Sequence, residues 1–137
     1  MVRNILLWGI VMAMLSVLFG AFGAHALKTI LRPDQLQIFE TGVRYQMMHA
    51  LALIGFALYA NTRSVLGMEQ KQIRWVAGFF KVGIFLFSGS LYGLVLLANS
   101  TIGLSRILGP ITPIGGLCFM LGWAAWARMV FVHKVDK

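Results

Sequence analysis

The sequence predicts an all-α integral membrane protein, a four-transmembrane-helix bundle with a short interfacial amphipathic helix before the second span. Three observations carry that expectation. The chain is 59% hydrophobic and only 12% charged, about half the charged share of an average soluble domain. Its mean hydropathy is +0.81, whereas a soluble fold of 137 residues would leave a large polar surface in water. The apolar residues fall in four blocks, near residues 5–27, 43–60, 76–98 and 110–131. Each block can cross about 30 Å of hydrocarbon at about 1.5 Å per residue. Helices satisfy every backbone polar group within their own segment, as a bilayer requires. The four spans are expected to form one domain, residues 1–137.

The first block follows Arg3 and ends in Ala24-His25-Ala26, a small-x-small pattern that resembles a signal cleavage site. Its apolar stretch exceeds the about 7–15 residues of a signal's hydrophobic region, so it is expected to stay as a membrane anchor. Gly9, Ala13, Ser16, Gly20 and Gly23 recur along it at spacings of three and four. Such a small-residue stripe lets helix backbones approach closely in lipid. Between the first two spans, Pro33 suits the first turn of a helix. Leu36, Phe39, Val43 and Met47 then make an amphipathic stripe. This segment reads as an interfacial half-helix bending at Gly42 into the second span, with Glu40 and Arg44 in the favourable order for an ion pair four apart. The third block carries Gly89 and Gly93 beside Ser88 and Ser90. The fourth opens with Pro110 and Pro113 and continues a small-residue stripe through Gly115, Cys118, Gly122 and Ala125. The stripes predict packing within the bundle or contact between copies. Cys118 is the single cysteine, which excludes an intrachain disulfide and reads as a buried structural residue.

Twelve Lys and Arg against four Asp and Glu do not amount to a nucleic-acid surface, because the basic residues are scattered at helix ends. Arg3, Arg63, Lys71, Arg74, Arg128, Lys134 and Lys137 share the side of the termini; Lys28, Arg32, Arg44 and Arg106 lie opposite. The positive-inside rule then predicts a multi-pass inner-membrane protein with both termini cytoplasmic. Trp8, Tyr59, Trp75 and Trp126 fall near the cytoplasmic interface as belt aromatics, and the basic rim should attract anionic lipid. Lys81, about one turn inside the third span, is expected to snorkel. Asn99-Ser100-Thr101 fits a glycosylation sequon close to the membrane.

The polar residues inside the spans all belong to the side opposite the termini. They are His25, then Glu40, Arg44, Tyr45, Gln46 and His49 on the second helix, Ser88 and Tyr92 on the third, and Thr112 on the fourth. Polar groups at such depth face the bundle interior and find partners there. The cluster reads either as a hydrogen-bonded structural network or as a site for a lipid head group, a quinone-like amphiphile or a proton, since histidine titrates near neutral pH. One His per helix, with Met47, Met48 and Glu40 nearby, falls short of a metal-ligand pattern. No phosphate-cradling glycine loop, nucleophile elbow or carboxylate pair is present. The chain is therefore expected to be no enzyme and to need no metal or cofactor.

"GAFGAHALK" at 20–28, "FETGVRYQMMHALAL" at 39–53, "FSGSLY" at 87–92 and "LGPITPIGG" at 108–116 together resemble the YgdD/YwdK-like family. This is a group of small bacterial inner-membrane proteins with a mitochondrial relative, catalogued as a domain of unknown function. The resemblance implies four helices and an inner-membrane location, and carries no activity, substrate or cofactor. The resulting expectation is a lipid- or amphiphile-binding or accessory membrane protein, with membrane lipids, a membrane-protein partner or a second copy as partners. The alternative is an oligomeric transporter of protons or small solutes.

Overall fold

The computed structural model describes residues 1–64, 69–97 and 105–132, with side chains undescribed at 63, 64 and 105–107. Lys134, Lys137 and the Asn99-Ser100-Thr101 sequon, with the side chains of Arg63 and Arg106, lie outside the described residues. Every regular element among the described residues is helical: α1 (Val2–Ala24), a 3-10 turn (Leu27–Thr29), α2 (Pro33–Ser64), α3 (Gln70–Gly83), a π turn (Ile84–Ser88), α4 (Gly89–Leu96) and α5 (Ser105–Val132). The segment from α3 to α4 is continuous, so the described residues make four long rods. Three of them, Val2–Thr29, Gln70–Leu96 and Leu108–Val132, are long and apolar enough to cross a membrane. The rod α2 is long but is not one of these, because Glu40, Arg44, Gln46 and His49 interrupt its apolar run.

The start of α2 follows from local chemistry. Pro33 occupies the first helical position, where its missing N–H costs nothing. Asp34 places a carboxylate at the positive helix end and pairs with Arg32 at 3.0 Å. Two residues beyond Pro33, the Gln35 Oε1 accepts the Arg32 backbone N–H at 3.1 Å, the return half of a capping box. The helix then runs unbroken to Ser64. The interfacial helix expected before the second span is therefore not separate from it: Gly42 lies inside one unbroken helix. Gly42 serves packing instead: a Cβ there would lie 2.7 Å from Tyr92 Cε1, so the missing side chain makes room for that ring. The expected Glu40–Arg44 ion pair is also not formed. Both residues are exposed, where such a contact contributes about 0–1 kcal/mol and costs side-chain freedom.

The stripe on α1 meets α2. A Cβ at Gly9 would stand 2.8 Å from Ile54 Cγ1 and 3.0 Å from the Ala50 carbonyl, and one at Gly23 would touch the Phe39 ring at 3.4 Å. Gly20 faces Val43 at 3.6 Å. Ser16, 1% exposed, returns its hydroxyl to the Met12 carbonyl at 3.0 Å, and Ala13 is half-buried. On the other flank α5 closes onto the third rod. Gly122 lies under Phe80 at 3.1 Å, Gly83 under Phe119, and a Cβ at Gly115 would strike the backbone of Leu86 and Phe87. Gly93 meets Leu108 at 3.0 Å. Gly89 departs from the expected packing role: it is exposed and a Cβ there would meet nothing within 4 Å. Its neighbours Ser88 and Ser90 are the buried positions of that turn, which leaves Gly89 on the outer face.

Ile5, Leu53, Phe56, Ile73, Val76, Phe80, Ile84, Phe119 and Met129 form a continuous apolar core. Large apolar side chains also cover the outside, Phe85, Met120 and Phe131 among them at 63–81% exposure, as suits a lipid-facing surface. Lys81 is half-buried and lays its Nζ 5.3 Å from the Trp8 ring centroid, close enough for a cation–π attraction.

Candidate functional site

The polar residues of α2 divide by helical phase. Gln46 and His49 are three apart and point inward, at 3% and 5% exposure. Tyr45 sits 37% exposed, and Glu40 and Arg44 are exposed. His25 lies exposed just beyond α1, where its backbone N–H still bonds the Ala21 carbonyl. The structure thus places Gln46, His49, Ser88, Tyr92 and Thr112 at buried or half-buried positions, and leaves His25, Glu40, Arg44 and much of Tyr45 on the surface.

Three separate sets of contacts hold these side chains. Gln46 bridges two rods: its Nε2 donates to the Met12 carbonyl on α1 at 3.0 Å, and its Oε1 accepts the Tyr92 hydroxyl at 3.0 Å. The Tyr92 ring is wedged between Phe19 and Phe39, with centroids 5.2 and 5.0 Å away. His49 joins α2 to α5. Its Nδ1 meets the Tyr45 carbonyl at 2.8 Å, its Nε2 accepts the Trp123 indole N–H at 3.3 Å, and its ring stacks on Phe119 at 3.4 Å. Only the neutral imidazole with its proton on Nδ1 satisfies both nitrogens at once. The Ser90 hydroxyl donates to the Phe87 carbonyl at 2.9 Å and meets the Thr112 hydroxyl at 2.7 Å, tying α4 to α5. Ser88 is fully buried in the π turn and its hydroxyl has no hydrogen-bond partner among the described residues. Single π turns inside α-helices recur at functional sites.

The Gln46–Tyr92 pair has a second face. Between α1 and the third rod runs a groove of about 170 Å³ whose walls include Met12, Leu15, Phe19 and Phe85, with Gln46, Tyr92 and the bare backbone of Gly89 completing it. The groove is apolar except at the amide and phenol. Sequence reasoning did not reach Trp123 or Phe119, which supply the donor and the stacking face for His49. They lie 70 or more residues away in the chain, and their helical spacing alone reads as ordinary lipid-facing or core apolar surface. Among the described residues no three His, Cys, Asp or Glu side chains gather in a metal-binding group.

The comparisons with known proteins agree with the membrane character. The family described as "Protein of unknown function (DUF423)" matches residues 19–116. A UPF0382 membrane protein of Staphylococcus saprophyticus is 41% identical over 115 residues, covering 84% of this chain and 86% of that protein. The UPF0382 membrane protein YwdK of Bacillus subtilis is 41% identical over 115 residues, with 84% and 85% covered. A relative from the yeast Schizosaccharomyces pombe, also named a UPF0382 membrane protein, is 42% identical over 112 residues, with 81% and 87% covered. No solved structure matches. None of these names assigns an enzymatic activity. With a family match across most of its length and relatives of this identity and coverage, the chain belongs to the DUF423 family, whose bacterial and yeast relatives are named UPF0382 membrane proteins.

Proposed function

We propose that this chain is a non-enzymatic inner-membrane protein that holds the hydrocarbon tail of a membrane amphiphile in the groove between α1 and the third rod. It crosses the bilayer four times as one domain, with both termini cytoplasmic. The distribution of basic residues supports that orientation, and the inward-facing Gln46 and His49 support burial of α2 inside the bundle. The observation that carries the reading is the groove itself. Its volume of about 170 Å³ takes about five or six groups the size of a water, at roughly 30 Å³ each. That is one section of a single chain, not a whole lipid. The Gln46–Tyr92 pair at its base offers a polar contact to the chain's more oxidised end.

Gly89 provides the test, because it lines the groove and a Cβ there meets no neighbour within 4 Å, so a larger side chain can occupy that space. Native mass spectrometry of the protein released from lipid should show a discrete adduct that the Gly89→Leu variant loses while keeping its helical content. A wild type that emerges bare, or an adduct that survives Gly89→Leu unchanged, would overturn the proposal.

A further inference from the structure

A second concave region lies at the opposite end of the bundle, where the start of α3 faces the end of α5. A cleft of about 290 Å³ opens between Gln72 and Arg128, with Val76, Ala125 and Met129 beneath and Trp75 at its side. A neighbouring hollow of about 280 Å³ is lined by Lys71, Arg74 and the same Trp75. Three cations therefore surround one indole, and no carboxylate lines either space. Among the described residues none of the three cations forms an ion pair. The Gln72 Oε1 is buried and lacks a hydrogen-bond partner there. A buried amide oxygen left without a donor is costly, so a turn of the Gln72 side chain toward the cleft it lines would let a bound hydroxyl satisfy this acceptor.

We propose that this cleft binds the head group of an anionic glycerophospholipid that carries a free hydroxyl, the chemistry of phosphatidylglycerol. Arg128 meets the phosphate in the cleft, Lys71 and Arg74 add positive charge from the hollow across Trp75, and the head-group hydroxyl donates to Gln72 Oε1. Depth selects a lipid over an acidic protein. The cleft lies where two helices long and apolar enough to cross a membrane, Gln70–Leu96 and Leu108–Val132, begin and end. Its floor is apolar, and Val132, 66% exposed, carries that apolar wall to the surface for acyl chains. Trp75, 58% exposed, is the amphipathic side chain expected at head-group level. The site is separate from the groove at Gly89, so either can fail alone.

The test uses the full chain in phosphatidylcholine nanodiscs doped with phosphatidylglycerol, with retained lipids counted by native mass spectrometry. Each cation removed should weaken retention roughly fivefold, and the double variant Arg74→Gln, Arg128→Gln about 25-fold. Arg3→Gln, at the same end but outside the cleft, should change nothing. Gln72→Leu should reduce retention of phosphatidylglycerol but not of phosphatidic acid, which has no head-group hydroxyl. Helical content read by circular dichroism separates these losses from unfolding. Unchanged retention in the double variant refutes the site, and an equal loss in Arg3→Gln reduces it to diffuse charge. Displacement by soluble glycerol phosphate at the lipid's own concentration would transfer the site to a free phosphate.

Discussion

Replacing Gln46 with methionine tests whether the bridge between α1, α2 and α4 holds the bundle together. Methionine keeps an unbranched chain of similar length and removes both polar ends. The substitution deletes the bond to the Met12 carbonyl and the bond from Tyr92, each 3.0 Å long. Interhelical hydrogen bonds in membrane proteins average about 0.6 kcal/mol, with an upper end near 1.7. The Met12 carbonyl keeps the Ser16 hydroxyl as a partner, whereas the half-buried Tyr92 hydroxyl is left without its acceptor, adding about 1 kcal/mol. A total of about 2 kcal/mol is therefore expected for Gln46→Met. Tyr92→Phe keeps the ring between Phe19 and Phe39 and should cost about 1 kcal/mol. With both changes made, no orphaned group remains between these two positions. The double variant should cost no more than Gln46→Met alone, which is a coupling of about 1 kcal/mol. Reversible unfolding by steric trapping in bicelles reads all three numbers on one scale. Costs that add to within about 0.5 kcal/mol would show that the two side chains do not act as a pair, and the reasoning would fail.

Two further outcomes bear on how the third rod meets α5. Gly115→Ala drives a Cβ into the backbone of Leu86 and Phe87 and should cost about 1–3 kcal/mol as the rods separate. Gly78→Ala, in open space, should be neutral or gain up to about 1 kcal/mol of helix propensity; equal effects at the two positions would contradict the close approach. Trp123→Phe preserves an aromatic ring but leaves His49 Nε2 without its donor. A loss of about 1 kcal/mol in the same unfolding measurement is expected, and no loss would mean the 3.3 Å contact contributes nothing.

Much of this architecture was legible from spacing. Gly9, Gly20 and Gly23 fall on one side of α1 because a helix repeats every 3.6 residues, so their stripe could be read before its partner was known. Gln46 and His49 were legible as polar groups within an apolar run for the same reason. Their separation from Tyr45 was not, since neighbouring residues on a helix turn about 100° apart and only the packing of α1 and α5 decides which side is inside. Gly42 misled for an instructive reason: glycine marks either a flexible backbone or a close approach, and the ring that approaches belongs to Tyr92, fifty residues on. The π turn at Ile84–Ser88 left no trace in composition, because it changes only which carbonyl each N–H finds. Trp123 could not be assigned to His49 without the bundle that brings α5 against α2.

The uninterrupted course of α2 has a mechanical consequence. Thirty-two residues at about 1.5 Å each make a rod of about 48 Å, while the hydrocarbon layer of a bilayer is about 30 Å thick. About three turns exceed that thickness. Asp34, Gln37, Glu40 and Arg44 are exposed at one end of the rod, so on the four-span reading the surplus stands above the lipid as a stiff post, where a loop would give a wandering tether. Anything that docks on that post meets a surface whose backbone was already ordered when the protein folded, so little further conformational entropy is lost there on binding.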